Sequence, residues 1–174
     1  VEYFGEGVKT LTVPQRATVA NMGAELGVTT SIFPSDTMTR QFMESQDRAG
    51  KWQKLCADEH AEYDRIIEIN LSQLEPMAAC PSSPDNIMAV REISAIPVNQ
   101  VGIGSCTNSS YTDLMLVARV LKGRKIHKMV EFAIAPGSRQ VMAMLAANGA
   151  LTDIISAGAR ILESGCGPCI GQGF

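Results

Sequence analysis

The chain has 174 residues, 45% of them hydrophobic, enough apolar content for the core of one domain or of two small ones. A net charge of -3 and a pI near 5.4 provide no basic footprint for nucleic acid, and no run of like charge marks an interaction tail. No apolar run approaches the roughly 20 residues of a membrane span, and Val1-Glu2-Tyr3-Phe4 lacks the basic and apolar regions of a signal peptide.

In chain order, Val1 to Thr12 reads as extended chain with a turn at Gly5-Glu6-Gly7. Pro14 suits the first turn of a helix, where a missing N-H costs nothing, and Gly27 suits its end, so a helix is predicted to about Leu26. Asn21 and Glu25 then share a face with Thr18. Spacing alone favours the wet side of an amphipathic helix; the alternative is an amide and a carboxylate directed into a polar site. A short strand is predicted at Val28 to Phe33, followed by a helix from Thr37 to about Asp47 capped by Ser35 or Asp36.

Lys51 to Glu62 reads as a surface helix. Cys56 and His60 fall four apart on it, but no third ligand lies nearby, so Cys56 reads as packing and His60 as surface. Ile67 to Leu71 alternates as a half-buried strand does. Pro76, Pro81 and Pro84 with Ser82 and Ser83 make Met77 to Asp85 a connector, placing a domain boundary near residue 85 with Cys80 as a bystander. A short helical piece is predicted over Asn86 to Glu92.

Beyond that point the pattern becomes regular. Strands are predicted at Val98 to Gly104, Met129 to Ala135 and Arg160 to Leu162, with helices at Tyr111 to Lys122, Arg139 to Ala147 and Leu151 to Ala157 between them. Alternating strands and helices call for a parallel sheet with right-handed crossovers. The fold class is therefore α/β, with helices on both faces of parallel sheets in three layers.

Five cysteines, an odd number with uneven spacing, argue against a secreted disulfide framework and for metal or redox chemistry in a reducing compartment. Cys106 lies in a loop of small polar residues after the first strand of the regular half, and Cys166 and Cys169 form a CxxC after the third. Strands of a parallel sheet end on one edge, where open α/β sheets bind ligands, so the three thiols can converge. N-H groups near Ser109 and Ser110 are placed to stabilise anionic sulfur. An iron-sulfur cluster, a thioredoxin-type redox pair, a zinc site and ordinary unpaired cysteines all remain open on spacing. Only five residues follow Cys169, a poor helix start for redox chemistry of the thioredoxin kind, and a structural zinc would need a fourth ligand.

The runs Gly102-Ile103-Gly104-Ser105-Cys106-Thr107-Asn108-Ser109-Ser110 and Glu163-Ser164-Gly165-Cys166-Gly167-Pro168-Cys169-Ile170-Gly171 resemble the cluster-binding loops of the aconitase superfamily. The run from Asn21 to Pro34 is similar to that of the aconitases rather than of the isopropylmalate enzymes of the same superfamily. The resemblance covers essentially the whole chain. It implies a 4Fe-4S cluster on Cys106, Cys166 and Cys169, with Asn108 beside it, an open iron for substrate, and Asn21 and Glu25 facing the site as catalytic groups. It further implies a citrate-isocitrate hydro-lyase of the tricarboxylic acid cycle acting through cis-aconitate. The alternatives are an isopropylmalate or homoaconitate relative, or an iron or oxygen sensor. Residues 1–85 and 86–174 are then expected to be parts of the second and third aconitase-type domains, in a piece of a longer protein.

The partners this implies are a small di- or tricarboxylic acid and the remaining domains, with no membrane and no nucleic acid. The location expected is the cytoplasm, or the mitochondrial matrix of a eukaryote. The family's serine base, Asp-His pair and carboxylate-gripping arginines have no motif in this chain, so the chain alone is expected to be inactive. Aerobic preparation is expected to leave the site without its cluster, or with Cys166 and Cys169 joined as a disulfide.

Overall fold

The structure, a computed structural model, describes residues 1–171; Gln172, Gly173 and Phe174, the end of the tail behind Cys169, lie outside the described residues. The chain forms two compact units that meet in sequence at Ala95 and Ile96.

The first unit is held by short elements and one buried cation. Helix α1 (Val13–Asn21) starts at a reciprocal cap in which the Thr12 hydroxyl accepts from Gln15 N and the Gln15 side chain accepts from Thr12 N. Helix α2 (Thr37–Ser45) starts at Asp36, whose carboxylate accepts from Met38 N and Thr39 N. Arg16 joins the two helices. It is 4% exposed, donates to the carbonyls of Val8, Leu11 and Pro34, and pairs with both oxygens of Asp36 at 3.0 and 2.7 Å. Its charge is buried but fully hydrogen-bonded, the condition under which a buried charge is tolerated. The cation holds the Asp36 carboxyl below the usual carboxylate range, with the cap N-H groups adding to the effect and partial burial opposing it.

Several sequence expectations fail in this unit, beginning with the extended entry, which holds a 3-10 helix at Glu6–Thr10. Helix α1 stops at Asn21, and the chain tightens into successive turns in which Glu25 N, Leu26 N and Gly27 N donate to Met22, Gly23 and Ala24 carbonyls. Asn21 and Glu25 therefore do not share a helical face. Residues 28–33 form no strand; Ile32 makes a single parallel bridge to Glu2. The helix expected from Lys51 to Glu62 is absent because Leu55 is drawn into an antiparallel bridge with Ser35, and tertiary pairing outweighs a weak local propensity. Ile67 to Leu71 joins no ladder, and Ile66, Ile67 and Ile69 stay about two-thirds exposed.

The segment read as a connector and short helix is a hairpin. Strand β1 (Met77–Ala79) pairs antiparallel with β2 (Ile87–Ala89). The prolines read as linker sit at its base and in its loop, where they cost no ladder bond, and Asn86 Nδ2 closes the loop on the Pro81 carbonyl at 2.7 Å.

The order and extent of the elements in the second unit follow the sequence reading closely, but where helices were expected on both faces of the sheet, those among the described residues lie on one. Strands β3 (Gln100–Gly104), β4 (Glu131–Ala135) and β5 (Arg160–Ile161) form a parallel sheet in that order, with helix α3 (Tyr111–Leu121) between the first two and α4 (Arg139–Ala147) and α5 (Ala150–Ala157) between the last two. The register sets Val101 against Phe132, and Ile103 and Ile161 against Ile134. These side chains pack in one core with Leu114 and Ala118 of α3, Leu145 of α4 and Ala150 and Ile154 of α5. Among the described elements the three helices share this one face of the sheet and also touch one another. That is the geometry right-handed crossovers require when strands are added in sequence order.

Candidate functional site at the carboxyl edge of the sheet

β3 and β4 both end at this edge, and loops rather than side chains alone build the site. Gly104 closes β3 at φ +88°, and Ser105 to Ser109 then cross toward β4. Ser109 is fully buried, its hydroxyl donates to the Ala135 carbonyl, and its own carbonyl accepts from Gly137 N at 3.1 Å. Ser110 starts α3: its hydroxyl accepts from Asp113 N, and its own N-H and hydroxyl donate to the Asp113 carboxylate at 3.0 and 2.7 Å. That N-H is thus committed to the cap and is not available to sulfur, so the sequence expectation fails at Ser110.

On the other side, Leu162 N donates to the Ile134 carbonyl at 2.8 Å. The chain then turns through Cys166 into a short 3-10 segment, Pro168–Ile170, that contains Cys169. The consecutive carbonyls of Ile134 and Ala135 therefore receive the two cysteine-bearing segments.

Cys106 Sγ and Cys166 Sγ lie 3.8 Å apart, both exposed. The Thr107 hydroxyl, 3.5 Å from Cys106 Sγ, and next the Cys166 thiol pull the Cys106 thiol below its ordinary range. Cys166 is pushed up, first by its hydrogen bond to Cys106 and then by the charge there and at Cys169. Of the two thiols, Cys106 is therefore the one that gives up its proton more readily.

Cys169 is exposed on the same loop as Cys166 but does not complete a cluster of three. Among the described residues no group of three or more Cys, His, Asp or Glu side chains is placed to hold a metal ion. Two of the three expected thiols are brought together, and the third stands in the 3-10 turn beside them. The donor set still fits thiolate ligation of iron: three exposed cysteines on two loops at one edge, with no competing disulfide. Asn108 is exposed two residues beyond Cys106. Cys56 and His60 are both exposed, Cys80 is half-buried beside β1, and His127 Nδ1 accepts from Met129 N.

Asn21 and Glu25 belong to the first unit and are both exposed. Asn21 lines an open cleft of about 170 Å³ with Thr29, Thr30 and Ser31, and the Ser31 hydroxyl is buried there without a hydrogen-bond partner among the described residues. Sequence reading missed Arg16, and it missed the burial of Ser109 and its close contact with Gly137. A serine between a cysteine loop and a helix cap reads as one more cap former, and nothing in its spacing signals complete burial.

A parallel α/β unit that carries thiols from two separate loops to one point at its carboxyl edge defines a protein built around a multi-loop thiol site. This chain belongs to the aconitase family: the model of that family (aconitate hydratase) matches residues 1–95 and 90–173. It is 40% identical over 171 residues to the 3-isopropylmalate dehydratase large subunit 2 of Archaeoglobus fulgidus, and 37% identical over 172 residues to the 3-isopropylmalate dehydratase large subunit of Clostridium beijerinckii. A large subunit of the same name from Lachnoclostridium phytofermentans is 40% identical over 171 residues. Each match covers 98% of this chain and 40–41% of the relative, so the chain spans about two-fifths of the length of these relatives. Their names do not support the citrate-isocitrate specificity inferred from Asn21 to Pro34.

Proposed function

We propose that this chain is the cluster-bearing part of a hydro-lyase of the aconitase family, with Cys106, Cys166 and Cys169 as thiolate ligands of a 4Fe-4S cluster. The observation that carries the reading is the meeting of Cys106 and Cys166 at 3.8 Å, across two loops, in a member of that family. Three protein thiolates leave one iron of such a cluster open, and the bound group then supplies a Lewis acid for a carboxylate and hydroxyl of substrate.

The remaining work falls to side chains of this chain. Asn108 stands beside Cys106 to orient the bound group. Asn21 and Glu25 are the first unit's contribution, the amide as a hydrogen-bond donor and the carboxyl as the group that gives a proton to the departing hydroxyl and takes it back when water adds. The two units are parts of adjacent aconitase-type domains.

The substrate is a small hydroxy di- or tricarboxylic acid. The shared name of the relatives supports 3-isopropylmalate over citrate, and the words "large subunit" in it support a smaller protein partner. Anaerobic reconstitution with iron and sulfide tests the ligand set. A visible absorbance band is expected in the wild-type chain and is expected to be lost in Cys106→Ser; equal bands in both would show that Cys106 is not a ligand. In the full-length protein, turnover of citrate in preference to 3-isopropylmalate would overturn the substrate assignment.

A further inference from the structure

Ser109 is completely buried in a stretch of polar loop, a costly placement for a hydroxyl unless it has a fixed partner. Its partner is the last carbonyl of β4, Ala135. Two glycines make room for it. A Cβ on Gly104 would stand 2.5 Å from Ser109 Cβ, Ser109 Oγ and the Ala135 carbonyl oxygen, and a Cβ on Gly137 would stand 2.8 Å from the Ser109 carbonyl oxygen. Contacts that close with backbone cannot be relieved by rotating a side chain. The serine is thus enclosed from both sides and hydrogen-bonded through its side chain and its backbone to the end of β4 and the turn after it. Cys106 lies three residues before it, and the segment leading to Cys166 is bonded to the preceding carbonyl of β4, Ile134.

We propose that Ser109, seated between Gly104 and Gly137, is the positioning residue of the thiol site: by tying the Cys106 loop to the end of β4 it sets the distance from Cys106 to Cys166. Its importance for function rests on the reading of these cysteines as one ligand set, but its mechanical content does not depend on a bound group. Without the tie the loop from Ser105 to Ser109 is held at Gly104 and by the cap at Ser110, and loses the side-chain bond that fixes its last residue to the end of β4. The thiol of Cys106 then samples a wider volume, and its effective concentration at Cys166 falls.

The test uses the metal-free 174-residue chain in mixtures of oxidised and reduced glutathione. In the reaction read, two cysteine thiols and one molecule of oxidised glutathione give one Cys106-Cys166 disulfide and two molecules of reduced glutathione. Its equilibrium constant, read by mass spectrometry of proteolytic fragments, reports the effective concentration of one thiol at the other.

Ser109→Ala is expected to lower that constant at least ten-fold, and Gly137→Ala to lower it in the same direction by displacing the Ser109 carbonyl. Ile154→Val, which trims the fully buried core of α5 away from the loops, serves as a comparison for general loss of stability and is expected to leave the constant within two-fold. The proposal is overturned if neither loop variant moves the constant, or if Ile154→Val moves it as much as they do. The ligand assignment is tested separately, by reconstitution of Cys106→Ser, so loss of the cluster reading and loss of the clamp give different results. A variant that does not fold is replaced in the series by the other loop variant, and folding of each is checked by far-ultraviolet circular dichroism.

Discussion

Cys106 and Cys166, sixty residues apart in sequence, present their sulfurs to each other at 3.8 Å from loops that follow different strands. The sheet, not the CxxC motif, chooses this pair. In the cluster-free chain, oxidation is therefore expected to join Cys106 to Cys166 in preference to the Cys166-Cys169 disulfide expected from sequence. Closing a loop of this length stabilises a fold by about 4 kcal/mol when the geometry is unstrained. Proteolytic mapping under non-reducing conditions identifies the bond, and a dominant Cys166-Cys169 product would refute the expectation.

Arg16 and Asp36 form the most buried ion pair of the first unit among the described residues, with side chains 5% and 25% exposed. Removing one partner strands the other charge. Asp36→Asn and Arg16→Ala are each expected to cost about 3 kcal/mol, measured by urea unfolding. The same pair sets an acid limit. Because the Asp36 carboxyl titrates lower in the folded chain than in the unfolded one, its contribution is fully present above the unfolded value of about 4 and is lost as pH falls through the folded value. Wild type is expected to lose stability below about pH 4 more steeply than Asp36→Asn, and parallel melting curves from pH 5 to 2 would count against this.

Gly104 and Gly123 both hold positive φ, +88° and +71°, but only Gly104 is crowded. Gly123→Ala is expected to cost about 1 kcal/mol from backbone strain alone, whereas Gly104→Ala adds an overpacked contact with Ala135 and Ser109 for a total of about 2–4 kcal/mol. Paired denaturant titrations decide it. Equal losses would mean that the β3 end yields more easily than its contacts imply.

Leu114 of α3 and Leu145 of α4 are both completely buried and meet in the core under the sheet. Truncating either to alanine is expected to cost about 2–5 kcal/mol by opening a cavity. The readout is the unfolding midpoint, and a loss below 1 kcal/mol at both positions would show that this core repacks freely.

The 174-residue chain, even with its cluster reconstituted, is expected not to dehydrate 3-isopropylmalate or citrate at an enzyme-like rate. The carboxylate-gripping arginines and the base implied by the family resemblance have no motif here, and a reaction without positioned partners loses most of its acceleration. Ultraviolet detection of the unsaturated product checks this, and enzyme-like formation of either product would sink it.

What could be read from the residues differed sharply between the two halves. In the second unit the strands and α-helices carry their own signals: Ser110 and Ser138 cap helices, Gly123 and Gly149 follow them, and β4 is continuously apolar from Phe132 to Ala135, so the sequence pattern located these within about two residues and missed only the 3-10 segment at Pro168–Ile170. In the first unit local pattern and tertiary pairing disagree. Leu55 pairs with Ser35 where charge pattern suggested helix, Ile67 and Ile69 alternate without a neighbouring strand, and the hairpin of β1 and β2 was hidden by its prolines. The two cysteine loops were legible because residue type and edge position both point to them. The tie at Ser109 was not, since it depends on which carbonyl lies opposite.

The consecutive Ile134 and Ala135 carbonyls also bear on the order of assembly. Each cysteine loop takes its place against the end of β4, the Cys106 loop through the Ala135 carbonyl and the Cys166 segment through that of Ile134, so the two thiols meet only when both sides of that strand are in place. The thiols then come together late, as a by-product of a completed sheet. A metal offered to the chain during synthesis would meet separated, mobile thiols, and one offered afterwards would meet a prepared pair.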